Sequence, residues 1–74
     1  MCRSIRTLRP PQLDPVTTGD VEAAARQYVR KVTGFRTPAA HNAAAFDAAV
    51  AAVAAATRDV LLALQVRGTP PVAI

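Results

Sequence analysis

Proline is the residue that most restricts how this 74-residue chain can fold. The six prolines stand at positions 10, 11, 15, 38, 70 and 71. Proline lacks a backbone N–H, and its ring clashes with the carbonyl group four residues earlier, so helix interiors exclude it. Two long stretches, 16–37 and 39–69, are free of proline and can form helices.

The first stretch carries the start and stop signals of one helix. Thr17 suits the N-cap, and Asp20 three residues later completes a capping box, with Val16 and Val21 as a hydrophobic staple. Gly34 is a typical residue at which a helix ends. An apolar stripe runs between these signals, through Val21, Ala25, Tyr28, Val29 and Val32. The pattern predicts a helix over about 17–33, with Tyr28 facing the core.

The second stretch predicts a longer helix over about 39–65. Its start is open between two caps, since either Thr37 or Asn42 suits the position. Its predicted core positions are spaced by alternating fours and threes, as in a heptad: Phe46, Val50, Val53, Thr57, Val60 and Leu64. Ala49 and Leu61 widen this stripe.

Two helices joined by a short loop pack as an antiparallel hairpin. The predicted fold is therefore all-α and has three parts. Residues 1–16 form an extended arm, rich in proline and arginine, that packs on the hairpin. Residues 17–65 form the hairpin, and residues 66–74 form a short flexible tail.

The arm repeats a triplet in which arginine stands at every third position. In a polyproline II conformation, which has three residues per turn, positions three apart share an edge. We expect one edge to anchor the arm through Cys2, Ile5 and Leu8. The other edge would present Arg3, Arg6 and Arg9 to a partner.

Composition suggests that the chain needs a partner to complete its core. The hydrophobic content is 51%, but much of it is alanine, which buries little area. A second copy or another protein could supply the missing contacts. The outer face of the second helix offers a smooth surface for such contact, made of Ala48, Ala51, Ala52, Ala55 and Leu62. Alternatively, these alanines are present only because alanine favours helix.

The net charge of +4 favours acidic partners, and nucleic acid is the leading alternative to protein. If the arm packs alongside the first helix, most basic residues gather at one end of the molecule. These residues are Arg3, Arg6, Arg9, Arg26, Arg30, Lys31 and Arg36. Such a patch could hold phosphates without reading sequence. No aromatic side chain is expected among them, because Tyr28 is assigned to the core.

Enzymatic chemistry has little support in the residues. Cys2 could act as a thiol or, with His41, as a weak metal ligand, but one cysteine and one histidine are not a zinc motif. A small apolar anchor is the alternative role for Cys2. We therefore expect a non-enzymatic interaction protein with no cofactor, no metal and no small-molecule substrate. The lone cysteine and the lack of a signal peptide or membrane span predict a cytoplasmic protein.

Three segments resemble a family of small bacterial proteins known as domain of unknown function 2277. They are MCRSIRTLRPP, AARQYVRKVTGFRTP and NAAAFDAAVAAVAAATRDVLLAL, and the resemblance covers about residues 1–65. The second helix departs from it, with alanine where relatives are rich in glutamate and lysine, and the VRGTPP tail looks like an addition. The resemblance implies that the opening arm is a family feature. It brings no activity.

Overall fold

A computed structural model describes residues 5–74 and shows two packed α-helices, α1 (Thr18–Thr33) and α2 (Ala40–Ala63). Val29, late in α1, packs with Phe46, early in α2. Val21, early in α1, packs with Leu61, late in α2. The helices are therefore antiparallel, and the all-α hairpin predicted from the sequence is confirmed.

The predicted start of α1 is confirmed in detail. The Thr17 Oγ1 accepts a hydrogen bond from the Asp20 backbone N–H at 3.1 Å, and the Thr17 backbone N–H donates to Asp20 Oδ2 at 2.8 Å. These are the two bonds of a capping box. Val16 and Val21 are both buried in one cluster, as a hydrophobic staple requires. The end is also as predicted, since Gly34 has φ 79° and its N–H donates to the Arg30 carbonyl.

The start of α2 differs from both predicted caps. Ala39 occupies the N-cap position, and no side chain there accepts a hydrogen bond from the first turn. The helix thus begins between Thr37 and Asn42, one residue after the extended Ala39. It ends at Ala63, two residues before the predicted position. Ala39 lacks a side-chain oxygen like the one that caps the start of α1. The high helix propensity of the alanines in α2 compensates for the missing cap.

The core consists of two clusters, one at each end of the hairpin. The loop-end cluster contains Ala25, Val29, Phe46 and Val50. The open-end cluster contains Leu8, Val16, Val21 and Leu61. Helix residues alone form the loop-end cluster, whereas the arm and the segment before α1 contribute half of the open-end cluster.

The predicted heptad seam of α2 is correct in its first part and wrong beyond Thr57. Phe46 and Val50 are buried, but Val60 is 52% exposed and Leu64 41% exposed. Leu61 is buried in their place. Two facts explain the change. A straight helix drifts relative to a seven-residue repeat, and α1 has only 16 residues against the 24 of α2.

The stripe of α1 is also wider than the surface that α2 covers. Tyr28 is 49% exposed and Val32 is 65% exposed, so the prediction that Tyr28 faces the core is wrong. Val21, Ala25 and Val29 are buried. A single neighbouring helix covers only part of a broad apolar stripe, and Tyr28 and Val32 lie outside the covered part.

The arm packs on the hairpin but is not extended throughout. Leu8 is buried among residues of both helices, and Ile5 is half-buried. The chain then turns, and the Leu13 N–H donates to the Arg9 carbonyl at 3.0 Å. In the segment predicted as a short flexible tail, Val72 packs against the open-end cluster.

Candidate functional site

A basic surface follows the solvent side of α1 from the arm to the interhelical loop. It consists of two adjoining depressions, of about 390 and 370 Å³, that share Gln27 and Arg30. We define the basic surface by the five cationic residues that line these depressions, namely Arg6, Arg26, Arg30, Lys31 and Arg36.

The helical repeat places these side chains together. Ala23, Gln27 and Arg30 lie about half a turn from the buried stripe of Val21 and Ala25, so they face solvent. Arg6 joins them because Leu8, two residues later in the arm, is fixed in the core. The arrangement is therefore a consequence of how the arm and α1 pack.

Arg30 connects the helix to the loop. Its Nε donates to the Arg36 carbonyl at 3.2 Å. A guanidinium has five N–H donors in a planar fork, and this bond uses one of them. The bond holds the loop backbone beside the last turn of α1, and Arg30 and Arg36 line the same depression.

One carboxylate, that of Asp20, lines the basic surface. The pKa of Asp20 is lowered, first by the hydrogen bond from the Thr17 backbone and then by that from the Thr17 hydroxyl, with a further contribution from the nearby charge of Arg6. The carboxylate is thus kept ionised by the helix cap. It offsets part of the positive charge at the arm end of the surface and leaves the loop end wholly cationic.

Phe35 is a residue of this surface that sequence analysis missed. It is 46% exposed and lines the loop-end depression with Arg30, Lys31 and Arg36. The backbone N–H of Phe35 donates to the Thr33 hydroxyl at 3.2 Å, which fixes its position after Gly34. The sequence did hold one signal for it, since the aromatic Phe35 directly precedes the cationic Arg36.

One of the predicted arginines, Arg9, does not line the basic surface. Arg9 is half-buried, and its guanidinium donates to the Pro10 carbonyl at 3.4 Å within the turn that follows Leu8. Arg3 lies outside the described residues. The remaining predicted cations line the surface along α1, from its first turns to the loop that follows it.

The alanine face of α2 is exposed along its length. Ala48, Ala51, Ala52 and Ala55 are all exposed, and Leu62 is 50% exposed. Asp47 and Arg58 flank this face at the groove between the helices. The face predicted for interaction is therefore accessible.

The two edges of the hairpin, where the helices meet, differ in chemistry. The charged edge is a groove of about 430 Å³ whose lining includes Glu22, Arg26, Asp47 and Arg58. On the opposite edge, Tyr28 and Val53 line a depression together with Ile5 and Leu8. Val32 follows Tyr28 by one turn, and Val60 and Leu64 continue the side of Val53. We call this second set, Tyr28, Val32, Val53, Val60 and Leu64, the apolar edge.

The structure describes one of the two weak metal candidates. Cys2 lies outside the described residues, and His41 is an exposed residue in the first turn of α2. Within residues 5–74, no three side chains among histidine, cysteine, aspartate and glutamate are placed to hold a metal ion together. Neither helix of that range is long and apolar enough to cross a membrane.

Comparison with family models found one family that matches both the arm and the hairpin. The model described as an uncharacterized conserved protein, DUF2277, matches residues 1–73. The chain belongs to the DUF2277 family. The match includes the arm, both helices and nearly all of the tail, so the tail is not an addition outside the family pattern. Searches of curated proteins and of solved structures found no match.

Proposed function

We propose that this DUF2277 protein is a non-enzymatic interaction module that works as a homo-oligomer, with two copies joined across the apolar edge. The observation that carries the proposal is the exposure of that edge. Tyr28, Val32 and Val60 are 49%, 65% and 52% exposed, although all three continue the stripes of α1 and α2 that supply the core.

The surface area of the chain supports the same proposal. Its accessible surface is 5409 Å², whereas a compact monomer of 7.8 kDa is expected to expose about 4,400 Å². The excess is about 1,000 Å², close to the ~800 Å² that each partner buries in a standard interface. A second copy is therefore of the right size to cover the excess.

Chemistry favours the apolar edge over the other surfaces as the contact. The charged edge presents Glu22, Arg26, Asp47 and Arg58, which would have to be desolvated in an interface. The alanine face presents mainly methyl groups, which bury little area per residue. Two hairpins joined by their apolar edges would form a four-helix bundle.

A pair of matched substitutions tests the proposal. Val60→Asp and Leu62→Asp each place a carboxylate on α2, at positions 52% and 50% exposed and two residues apart. Both substitutions leave the buried residues of the single chain untouched. We expect the unmodified protein and Leu62→Asp to have the mass of a dimer by light scattering, and Val60→Asp to have the mass of a monomer.

The other outcomes are equally informative. A dimer lost only with Leu62→Asp would move the contact to the alanine face and contradict the apolar edge. A monomer at every concentration, up to about a millimolar, would contradict self-association altogether. Circular dichroism of both variants checks that the helices remain.

A further inference from the structure

We propose that the basic surface binds single-stranded nucleic acid, with Phe35 stacking on an unpaired base. This site lies on the solvent side of α1 and uses residues other than those of the apolar edge. The proposal is therefore independent of self-association. Its basis is the combination of five cations in two continuous depressions with one exposed aromatic ring among them.

The charge distribution suits a phosphate backbone. The cations follow a helix of 16 residues, which is about 24 Å long at 1.5 Å per residue. Consecutive phosphates can be contacted along such a stripe, and each contact releases counterions. Asp20 is the one acidic residue in the two linings, and its carboxylate accepts hydrogen bonds from the Thr17 backbone and hydroxyl.

Phe35 distinguishes a single strand from a duplex. Phe35 is 46% exposed at the loop end and lines the same depression as Arg30 and Arg36. Aromatic rings in basic grooves bind single strands because an unpaired base can stack on them, whereas the bases of a duplex are already stacked. The Arg30 bond to the Arg36 carbonyl holds the loop that carries Phe35, so the stacking platform is in place before binding.

A lipid surface fits the same residues less well. Membrane-surface helices combine basic residues with a broad apolar face that enters the interface. Among the described residues, Phe35 is the one large exposed apolar side chain that lines the basic surface, while the large exposed apolar side chains of α1, Tyr28 and Val32, lie on the apolar edge. An unpaired strand is therefore the occupant that the residues favour.

Fluorescence anisotropy with a labelled 15-nucleotide oligouridylate measures the binding directly. We expect affinity to fall with salt, with a slope of log K against log salt near about −3.5 for five phosphates contacted by a single strand. Arg26→Gln should reduce that slope by about 0.7. Arg67→Gln removes the same charge from the exposed tail, outside the basic surface, and should leave the slope unchanged.

The stacking contact has its own matched variants. Phe35→Ala should weaken binding about tenfold, and Phe35→Tyr should restore it. Tyr28→Ala removes an aromatic ring of similar exposure, 49%, from the apolar edge and should leave the affinity unchanged when measured at the same oligomeric state. Circular dichroism establishes that each variant keeps its helices.

Several results would overturn the proposal. One is the absence of oligouridylate binding at 50 mM salt. Another is equal affinity for a duplex of the same length, together with an unchanged affinity of Phe35→Ala. A third is tighter binding to vesicles of phosphatidylserine and phosphatidylcholine than to the oligonucleotide, which would assign the cations to a lipid surface.

Discussion

Thr17 and Asp20 form a compact hydrogen-bonded unit at the residue scale. The Thr17 hydroxyl accepts from the Asp20 N–H and donates to Asp20 Oδ2 at 2.9 Å, while the Thr17 N–H donates to the same oxygen. Gly19 within this turn has a low helix propensity, so the first turn depends on the cap. The same turn orients Val16 and Val21 into the open-end cluster.

Replacement of the cap residue gives a direct prediction. Thr17→Ala should lower the free energy of unfolding by about 1 kcal/mol, because the Asp20 N–H and carboxylate both lose a partner. Thr18→Ala is the matched control, because Thr18 is the first helical residue and its neighbour Thr17 is the N-cap. Urea denaturation measures both. Equal stabilities of the two variants would contradict the role of Thr17.

Asp20 adds a prediction about pH. Its pKa is lowered in the folded protein by the hydrogen bonds from Thr17, so folding favours the ionised form. The resulting stabilisation is present above the unfolded pKa of about 3.9 and is lost as pH falls through the lower folded value. The melting temperature of Asp20→Asn should therefore fall less steeply between pH 5 and pH 2 than that of the unmodified protein. Parallel curves would contradict this assignment.

The two helices show, at the scale of the element, what a sequence can and cannot predict. The start and end of α1 follow from hydrogen bonds within four residues of Thr17 and Gly34. Local signals of this kind can be predicted from the sequence. The choice of Leu61 over Val60 for the core depends on where α1 ends beside α2. That choice depends on tertiary packing, which a repeat pattern alone does not predict.

The arm is an element of the core even though it has no regular secondary structure. Leu8→Ala should destabilise the fold by about 2–3 kcal/mol, because it leaves a cavity among Val16, Val21 and Leu61. Leu62→Ala makes the same chemical change at a site that is 50% exposed and should cost well under 1 kcal/mol. Chemical denaturation compares the two. A small effect of Leu8→Ala would mean that the arm is detached in solution.

The candidate site was partly predictable, because much of it depends on local helix geometry. Arg26, Arg30, Lys31 and Arg36 were predicted as a set and lie on one surface, since the helix repeat and the adjoining loop determine their placement. Arg9 departs from it because the turn closed by the Leu13 N–H redirects the chain. Phe35 was not predicted as part of the site, because its half-exposed position depends on how the chain leaves the C-cap at Gly34.

The whole molecule is elongated. Its extents are 46 × 21 × 16 Å and its radius of gyration is 13.6 Å, compared with about 11 Å expected for a compact chain of this length. Such a shape exposes more surface than a sphere, and α2 extends past the shorter α1. Lateral association of two hairpins would make the particle thicker without making it longer.

Association at this scale predicts a melting temperature that depends on concentration. For a dimer that unfolds to two chains, each tenfold increase in protein concentration should raise the melting temperature by about 5 °C. Val60→Asp should abolish the dependence, because a carboxylate on the apolar edge opposes contact between copies. A melting temperature that is constant over a hundredfold range for the unmodified protein would contradict the dimer.

The division of the core into two clusters has a consequence for the order of folding. The loop-end cluster joins residues from Ala25 to Val50, so a short loop closes it. The open-end cluster joins Leu8 to Leu61 and waits for a much longer loop, with a higher entropic cost and a slower search. During synthesis, Leu8, Val16 and Val21 precede their partner Leu61 by 53, 45 and 40 residues. The nascent chain therefore carries an unmatched apolar arm until the last turns of α2 are made.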